Sequence, residues 1–398
     1  MNQATADFIR LNADADVRQL ALRGTKVPEI DLPFALDQIA GRQTARRKLP
    51  SWAAIDGIIY PPHLSMEQCS SEQTARYKAQ VLTDKCCTKD GTCFVDLTGG
   101  FGVDFAILAQ ALSSYIQHFV YVERQEHLCA VAKENFLRLG LSHTEVVCAD
   151  SVDYLQTMKS AEIIFLDPAR RDGHGSRTYG ISDCTPDVLQ LRDMLLQKAR
   201  YVLLKLSPML DWRKTISDLG EQYVREIHIV SVHNECKELL VLLGQGEGVK
   251  LICANDDNRF VVETDGIAET IPFDNPCAEK YLYEPNASIM KAGCFAELSQ
   301  NFAIAPIAKN SHLFISSDFI DDFPGRIFQI QAVSSLNKRE LKENLRDITQ
   351  ANITARNFPL SVAELRHRLK LNEGGSTYIF ATTLASGDRV LLICRKPM

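Results

Sequence analysis

The sequence lacks several features that would place it in a special class of protein. It has no run of about 18 apolar residues, so no membrane-spanning helix is expected. The segment Met1–Asp7 has no basic region followed by an apolar one, so no signal peptide is expected and the cytoplasm is the predicted location. The 12 cysteines form no C-x-x-C pair and no cluster with histidines, which favours free thiols over a metal site.

Positively charged residues are also fewer than negatively charged ones, 44 against 50. The formal net charge of −6 argues against nucleic-acid binding by the chain as a whole. Residues 320–398, however, hold 12 lysines and arginines against 8 aspartates and glutamates, a net charge of +4, and the rest of the chain carries −10. This distribution is compatible with RNA binding through the C-terminal part.

The length of 398 residues exceeds what one compact core usually holds, so several domains are expected. Residues 1–90 show helical spacing at 4–22, 32–48 and 72–81, broken by prolines. The pattern then predicts an α/β domain over 91–270 that ends in a hairpin at 249–263. Short mixed elements follow over 275–320. A small α+β unit is predicted for 321–398, with helices at 338–350 and 361–369 and strands at 376–383 and 389–395.

A glycine-rich turn follows the first predicted strand, in the run from Phe94 to Asp104. Glycines at 99, 100 and 102 let the backbone bend sharply and approach a ligand closely. Asp96 ends the strand, and Asp104 begins the amphipathic segment after the turn. This order predicts a mononucleotide-type pocket at the carboxyl edge of a parallel sheet.

The turn alone permits either a dinucleotide or S-adenosylmethionine (SAM). In the dinucleotide pattern G-x-G-x-x-G, the third glycine allows close contact between helix and strand. Gly100 and Gly102 match the first two glycines, but Phe105 occupies the third position. Because SAM has no phosphate, it needs a carboxylate and a tight turn more than an anion-binding loop. The pattern D-x-T-x-G-x-G therefore favours SAM.

Acidic residues at the ends of the following strands support this interpretation. Glu123 ends the predicted strand 118–122, about 20 residues past the glycines, where it would bind a ribose. Asp150 ends the next strand and suits an adenine amine, and Asp167 follows the strand 161–166. The predicted SAM-binding residues are Asp96, Thr98, Gly99, Gly100, Gly102, Asp104, Glu123, Asp150, Ser151 and Asp167.

The run Asp167-Pro168-Ala169-Arg170 after the fourth strand predicts the acceptor site. It resembles the D/N-P-P-Y/F motif of nucleic-acid amine methyltransferases, in which the acidic or amide oxygen accepts a hydrogen bond from the target amine. Asp167, Pro168 and Arg170 are the predicted catalytic residues, with Asp167 orienting the acceptor and receiving its proton. Arg170, Arg171 and Lys205 are predicted to contact the substrate. Internal ion pairs are the alternative role for the two arginines, and a structural role behind the pocket is the alternative for Lys205.

A mechanism with a cysteine nucleophile is disfavoured. Ala169 and Ser207 stand where such enzymes place a cysteine beside the fourth or fifth strand, and Cys236 is only a residual candidate. The predicted reaction is therefore direct displacement of the methyl group by a nitrogen or oxygen nucleophile, in which positioning supplies much of the rate.

Five motifs resemble a bacterial family of class I SAM-dependent methyltransferases that carry a ferredoxin-like segment and a C-terminal THUMP-like domain. They are the run from Glu67 to Ala79, DLTGGFGVD, FLDPARR, KLSPMLD (205–211) and NECKELL (234–240). The resemblance spans most of the chain. It implies a Rossmann-like core, a ferredoxin-like segment at 275–320, a THUMP-like domain at 321–398, SAM as cofactor, no metal, and structured RNA such as tRNA or rRNA as partner. A methyltransferase of small molecules or proteins, and a non-catalytic RNA-binding protein of the same fold, remain open.

Overall fold

The computed structural model describes residues 1–85, 91–170, 180–263, 272–278 and 280–397, without the side chains of Gly91, Thr92 and Arg170. The chain divides into two compact units. The first consists of Met1–Ile227 and Lys237–Val249, and the second of His228–Cys236 and Lys250–Met398. Within the described ranges, no helix has the length and hydrophobicity to cross a membrane.

The N-terminal part of the first unit is helical, as predicted. The spacing over 4–22 is divided between two helices, because the carboxylate of Asp16 accepts a hydrogen bond from Gln19 N and starts a new helix after a turn at residues 12–16. The helices are α1 (Gln3–Leu11), α2 (Val17–Arg23), α3 (Leu32–Lys48), α4 (Pro50–Ala53), α5 (His63–Gln68) and α6 (Glu72–Thr83).

A region in which strands and helices alternate follows. Its strands are β1 (Gly91–Asp96), β2 (Ile116–Glu123), β3 (Thr144–Cys148), β4 (Ala161–Leu166), β5 (Ala169–Arg170), β6 (Cys184–Thr185), β7 (Ala199–Leu206), β8 (Val224–Val232) and β9 (Glu235–Gly244). The helices are α7 (Val103–Leu112), α8 (Glu126–Arg138), α9 (Ser151–Thr157), α10 (Val188–Lys198) and α11 (Trp212–Leu219), with 3₁₀ turns at Ile181–Asp183 and Glu221–Tyr223. Among the described residues, the short strands β5 and β6 pair with each other in a two-stranded sheet that is separate from the main one.

The part of the main sheet formed by β1 to β4 and β7 to β9 has the strand order β3-β2-β1-β4-β7-β9-β8. Strands β1 to β4 and β7 run parallel, and β9 pairs with β7 antiparallel. Five of the six residues of β4 and five of the eight residues of β7 are buried, as expected of strands covered on both faces. Because parallel strands end at one edge, the residues that follow β1, β2, β3, β4 and β7 meet there. The predicted α/β core with a parallel-rich sheet is confirmed.

The second unit contains a hairpin and a seven-stranded sheet of order β13-β14-β12-β15-β18-β17-β16. The predicted helix over 338–350 ends early, because the chain turns after α14 and brings Gln350 into a bridge with Asn372. The elements are β10 (Lys250–Asn255), β11 (Asn258–Glu263), β12 (Tyr281–Pro285), α12 (Ala287–Ala292), α13 (Phe295–Phe302), β13 (Ala305–Pro306), β14 (Phe314–Ser316), β15 (Gly325–Ser334), α14 (Lys338–Asn344), β16 (Asn352–Arg356), α15 (Val362–Leu369), β17 (Thr377–Thr383) and β18 (Arg389–Arg395).

Candidate cofactor and acceptor site

The glycine turn links β1 to α7 and is held by backbone hydrogen bonds. Gly99 N donates to Val122 O at 2.9 Å, and Gly102 N donates to Gly99 O at 2.8 Å. Gly100 and Gly102 have φ values of +56° and +85°, which glycine adopts readily and other residues adopt only with strain. The turn therefore needs glycine at both positions for conformational reasons alone.

Packing adds a second requirement at two of the glycines. A Cβ on Gly99 would lie 2.1 Å from the ring of Tyr121, and one on Gly102 would lie 2.9 Å from the ring of Phe136. A Cβ on Gly100 would meet nothing closer than 3.9 Å. The backbone is therefore packed against the protein at Gly99 and Gly102 and faces open space at Gly100, where a ligand can approach closely.

Phe105 occupies the place where a dinucleotide fold has its third glycine. Its ring is fully buried and packs against Phe94, Tyr121 and Phe136, at centroid distances of 6.0, 5.5 and 4.9 Å. The side chain thus fills the space between α7 and the sheet that a dinucleotide fold leaves to backbone contact.

Carboxylates end β2 and follow β3, as predicted. Glu123 is buried and accepts hydrogen bonds from Gly100 N at 3.0 Å and from Gln125 N at 2.9 Å. Asp150 is exposed and caps α9 by accepting from Val152 N at 2.8 Å, so that α9 begins at Ser151. Glu123 is thereby fixed against the glycine turn, with Asp150 at the end of the neighbouring strand.

Asp96 is buried beneath the turn. One carboxyl oxygen accepts a hydrogen bond from Thr98 N at 2.9 Å. Burial raises the pKa of this carboxyl well above its ordinary value, and the nearby carboxylates of Asp104, Asp167 and Glu123 raise it further. A cation bound beside Asp96 would offset this cost.

The acceptor motif lies directly beside the turn. Asp167 N donates to Thr98 Oγ1 at 2.6 Å, which joins the end of β4 to the turn after β1. Lys205, near the end of β7, donates from Nζ to Asp167 Oδ2 at 2.5 Å. The structure thus brings Thr98, Asp167 and Lys205 together, although they are far apart in the sequence.

Behind Lys205 lies a buried charge cluster, formed by Ser70, Lys78, Asp104, Lys205 and Glu238. Lys78 is fully buried, with Nζ 2.6 Å from Glu238 Oε2 and 3.0 Å from Asp104 Oδ1. Ser70 Oγ lies 2.7 Å from Asp104 Oδ2 and 3.2 Å from Glu238 Oε1. Lys205 Nζ is 3.9 Å from Asp104 Oδ2. Asp104, predicted to bind the cofactor, therefore lies between two lysines.

The cluster determines the charges of its members. Burial raises the pKa of Asp167, and Lys205 opposes that rise. Burial tends to lower the pKa of Lys205, but the carboxylates of Asp167, Asp104 and Glu238 outweigh burial and raise it. Burial likewise tends to raise the pKa of Glu238, yet Lys78 and Lys205 lower it below its ordinary value. Lys205 is therefore a permanent cation beside Asp167.

Sequence reasoning did not assign a role to Ser70, Lys78 or Glu238. They fall within two of the motifs quoted above, the run 67–79 and the run 234–240. One signal was available: Lys78 stands at helical spacing from Ala75 and Leu82, and Glu238 directly precedes the apolar run Leu239–Leu243. Opposite charges in two such segments indicate that the segments meet.

Four other predicted residues are placed less completely or lie outside the described residues. The backbone of Arg170 lies in β5, which pairs with Cys184, while its side chain and all of Arg171 lie outside the described residues. Pro168 connects Asp167 to β5. Cys236, the residual nucleophile candidate, donates from Sγ to Ala287 O at 3.3 Å and lies 3.2 Å from Ser231 Oγ. Among the described residues, no group of three metal-ligating side chains is close enough to hold an ion.

Comparison with known proteins identifies the second unit first. A family described as THUMP domain-like matches residues 325–396, and one described as a ferredoxin-like domain matches residues 281–324. No curated protein matches the chain.

Solved structures extend the similarity to the whole chain. A Porphyromonas gingivalis W83 protein, provisionally named a methyltransferase, shares 33% identity over 99% of this chain and 98% of its own, with a TM-score of 0.85. A SAM-dependent methyltransferase from Agrobacterium tumefaciens is 17% identical over 47% of this chain and 65% of its own, with a TM-score of 0.33. A Listeria monocytogenes protein, provisionally named a class I SAM-dependent methyltransferase, is 11% identical over 64% and 94%, with a TM-score of 0.41.

The full-length similarity to the P. gingivalis protein agrees with the strand order, the glycine turn and the two C-terminal matches. The chain belongs to the family of class I SAM-dependent methyltransferases that carry a ferredoxin-like domain and a C-terminal THUMP-like domain.

Proposed function

We propose that this protein transfers the methyl group of SAM to a base nitrogen of tRNA or rRNA by direct displacement. The observation that carries the proposal is the bond between Asp167 N and Thr98 Oγ1, which places the acceptor motif beside the glycine turn. A donor bound at the turn and an acceptor bound at Asp167 would then be neighbours, and such positioning is the largest contribution to transfer that this site offers.

The residues at the turn fit SAM. Gly100 leaves space for a ligand beside the backbone, and Glu123 presents a carboxylate at the end of β2 where ribose hydroxyls are bound in this type of fold. Asp150 follows the next strand, where an adenine amine would meet it. Asp96 supplies a buried carboxyl group, and a cation bound beside it would stabilise the ionised form of that carboxyl group. SAM, when bound, supplies an electrophilic methyl group on a positively charged sulfur.

On the acceptor side, the protein orients the substrate and receives a proton. The Asp167 side chain is 37% exposed, so an acceptor can reach its carboxylate. The rest of the side chain is packed against the protein, and this partial burial raises the pKa of Asp167, which makes it a better proton acceptor than an ordinary aspartate. Lys205 holds the carboxylate in place through the bond to Oδ2. Arg170 and Arg171 follow this carboxylate in sequence and are proposed to contact the substrate.

RNA as the acceptor is supported by the second unit. The THUMP-like match covers residues 325–396, and true THUMP domains bind structured RNA. Residues 320–398, which contain this match, carry a net charge of +4 on an otherwise acidic protein. The P. gingivalis relative, provisionally named a methyltransferase, supports methyl transfer without indicating the substrate.

Calorimetric titration tests the cofactor site. The wild-type protein should bind SAM, Asp96→Ala should weaken binding, and Gly100→Val should abolish it because the side chain would enter the open space. Gly140→Val is the matched control, since Gly140 also has a positive φ of +77° and open surroundings but lies after α8. Failure of the wild-type protein to bind SAM would contradict the proposed cofactor.

Transfer from tritiated SAM tests the reaction. RNA from a strain that lacks the gene should accept label, whereas RNA from the wild-type strain should accept little because its sites are already methylated. Label on metabolites or proteins instead of RNA would favour a methyltransferase of those substrates. SAM binding without label in any fraction would favour a non-catalytic RNA-binding role.

A further inference from the structure

The carboxylate of Asp167 and the ammonium of Lys205 form a mixed pair, with one hydrogen-bond acceptor and one donor at the acceptor site. The related motif D/N-P-P-Y/F presents acceptors to the two N–H groups of an exocyclic amine. In this protein a lysine lies 2.5 Å from the acidic oxygen. The change from acceptors alone to a donor and an acceptor alters which chemical group fits the site.

The contacts of Lys205 within the described part of the chain leave N–H groups for a ligand. An ammonium carries three N–H donors. Asp167 accepts one of them, and the oxygen of Asp104 at 3.9 Å is beyond hydrogen-bond distance. The Lys205 side chain keeps 11% of its surface exposed, next to the more exposed Asp167. The ammonium can therefore contact a group that also contacts Asp167.

The buried charge cluster keeps this ammonium charged. Lys78 neutralises part of the charge of Asp104 and Glu238, but three carboxylates still accompany two lysines when Asp167 is counted. The excess of negative charge stabilises Lys205 in its cationic form. Lys205 consequently acts as a donor and a positive charge, and not as a base.

A fixed positive charge selects among acceptors. Methylation of an exocyclic amine places positive charge on the nitrogen, which a neighbouring ammonium disfavours. A lactam, in which a ring N–H adjoins a carbonyl, behaves in the opposite way. When its proton leaves, negative charge develops on the carbonyl oxygen, and an ammonium aimed at that oxygen stabilises it.

Resting on the proposed function, we infer that the acceptor is a lactam nitrogen of a base, as at N1 of guanine or N3 of uracil, and that Lys205 is a catalytic residue that contacts the adjoining carbonyl oxygen. Asp167 accepts the hydrogen bond of the ring N–H and takes its proton. The nitrogen lone pair then forms the new N–C bond while the C–S bond of the donor breaks, and the sulfur leaves as a neutral thioether.

Mass spectrometry of nucleosides from RNA methylated by the wild-type enzyme tests the assignment. We expect 1-methylguanosine or 3-methyluridine. Methylation of an exocyclic amine, as in N6-methyladenosine, N2-methylguanosine or N4-methylcytidine, would overturn the lactam assignment while leaving RNA methylation in place. Methylation of a carbon or of a ribose hydroxyl would also overturn it. Absence of label in every RNA, with SAM bound, would overturn the proposed function and this assignment together.

Variants at Lys205 test its role in a second way. Lys205→Met should lower kcat by about 10²–10³-fold, the usual effect of removing one oxyanion donor, with the Kd for SAM unchanged. Its residual rate should rise with pH, because the acceptor must then lose its proton without help, whereas Lys205→Arg should retain a pH profile like that of the wild type. Circular dichroism establishes that each variant is folded. An equal loss at every pH in a folded Lys205→Met protein would overturn the catalytic role.

Discussion

At the scale of single residues, Asp96 lowers the stability of the fold because its carboxyl group is buried, and the same residue is proposed to bind SAM. Its carboxyl group is buried, and its pKa in the folded protein lies well above the value of about 3.9 in an unfolded chain. Between these two pKa values the folded protein binds more protons than the unfolded one, so the free energy of unfolding falls as the pH rises. The loss of stability caused by the buried carboxylate is then complete at pH values above the pKa of Asp96 in the folded protein.

We therefore predict that Asp96→Asn stabilises the protein at neutral pH while it weakens SAM binding. The amide oxygen can still accept from Thr98 N, and the buried charge is gone. The expected gain is about 0.5–2 kcal/mol, as is common when a strained functional site is relieved, and the Kd for SAM should rise about tenfold or more. Urea unfolding of both proteins at pH 5 and pH 8 measures the gain. An Asp96→Asn protein that loses stability between these pH values as much as the wild type would contradict the prediction.

Neighbouring glycines in the turn should respond differently to the same substitution. Gly99→Ala places a Cβ 2.1 Å from the buried ring of Tyr121, whose hydroxyl is bonded to Gly100 O, so the ring cannot move away. We expect a loss of about 1–3 kcal/mol from overpacking. Adding Tyr121→Leu should recover part of that loss, whereas the same addition to Gly100→Ala should recover none. Thermal unfolding measures all four variants, and equal recovery in both backgrounds would show that packing at Tyr121 is not the cause.

Residue type and spacing predicted a large part of the site. Asp96, Glu123 and Asp167 end or follow the first, second and fourth predicted strands. Parallel strands bring such positions to one edge, so their assembly was predictable. The roles of Lys78 and Glu238 were not, because they are 160 positions apart and meet only through tertiary packing. Their contact depends on how α6 packs, which periodicity does not specify.

At the scale of elements, α6 is an anchor between the N-terminal helices and the sheet. It packs closely against α7, and its Lys78 reaches Asp104 on α7 and Glu238 on β9. A helix that places its buried cation among carboxylates of two other elements fixes their relative positions. This arrangement ties a helical segment outside the α/β core to the cofactor and acceptor site.

Lys78→Met should destabilise the protein by about 3–5 kcal/mol, the usual cost of leaving a buried charge without its partner. The change leaves Glu238 and Asp104 in a buried site without their neutralising lysine. The double variant Lys78→Met with Glu238→Gln should be less destabilised than the sum of the two single changes, because it removes one charge of each sign. Urea unfolding of the four proteins completes the cycle. Additive losses would show that the two side chains do not interact.

The boundaries of the core strands were predicted more accurately than those of two helical segments. The strands of the core were located to within a few residues, since buried parallel strands form continuous apolar runs between turns. The spacing at 4–22 and 338–350 continued past the true helix ends, because capping at Asp16 and the turn toward Asn372 interrupt it. Strands β15 and β16 were not predicted, since they pair with strands that lie further along the sequence.

At the scale of the whole molecule, charge is distributed unevenly along the chain. The acidic remainder carries −10, and residues 320–398 carry +4. Exposed cations gather on α14 and in the segments after α14 and α15, and Arg368 donates to Leu336 O, which brings the end of α15 beside the start of α14. The exposed cations of this basic surface are Lys338, Arg339, Lys342, Arg346, Arg368 and Lys370.

If RNA is held by this basic surface, its affinity must depend on these charges and on salt. We predict that Lys342→Glu with Arg346→Glu weakens RNA binding and reduces the slope of log Kd against log salt, because fewer counterions are released from the phosphates. The matched control is Lys26→Glu with Lys159→Glu, which changes the net charge equally at exposed positions in the first unit. Filter binding across a salt series measures both variants, and calorimetry should show unchanged SAM binding in each. Equal losses of affinity would mean that RNA responds to net charge alone, and the basic surface would then have no specific role.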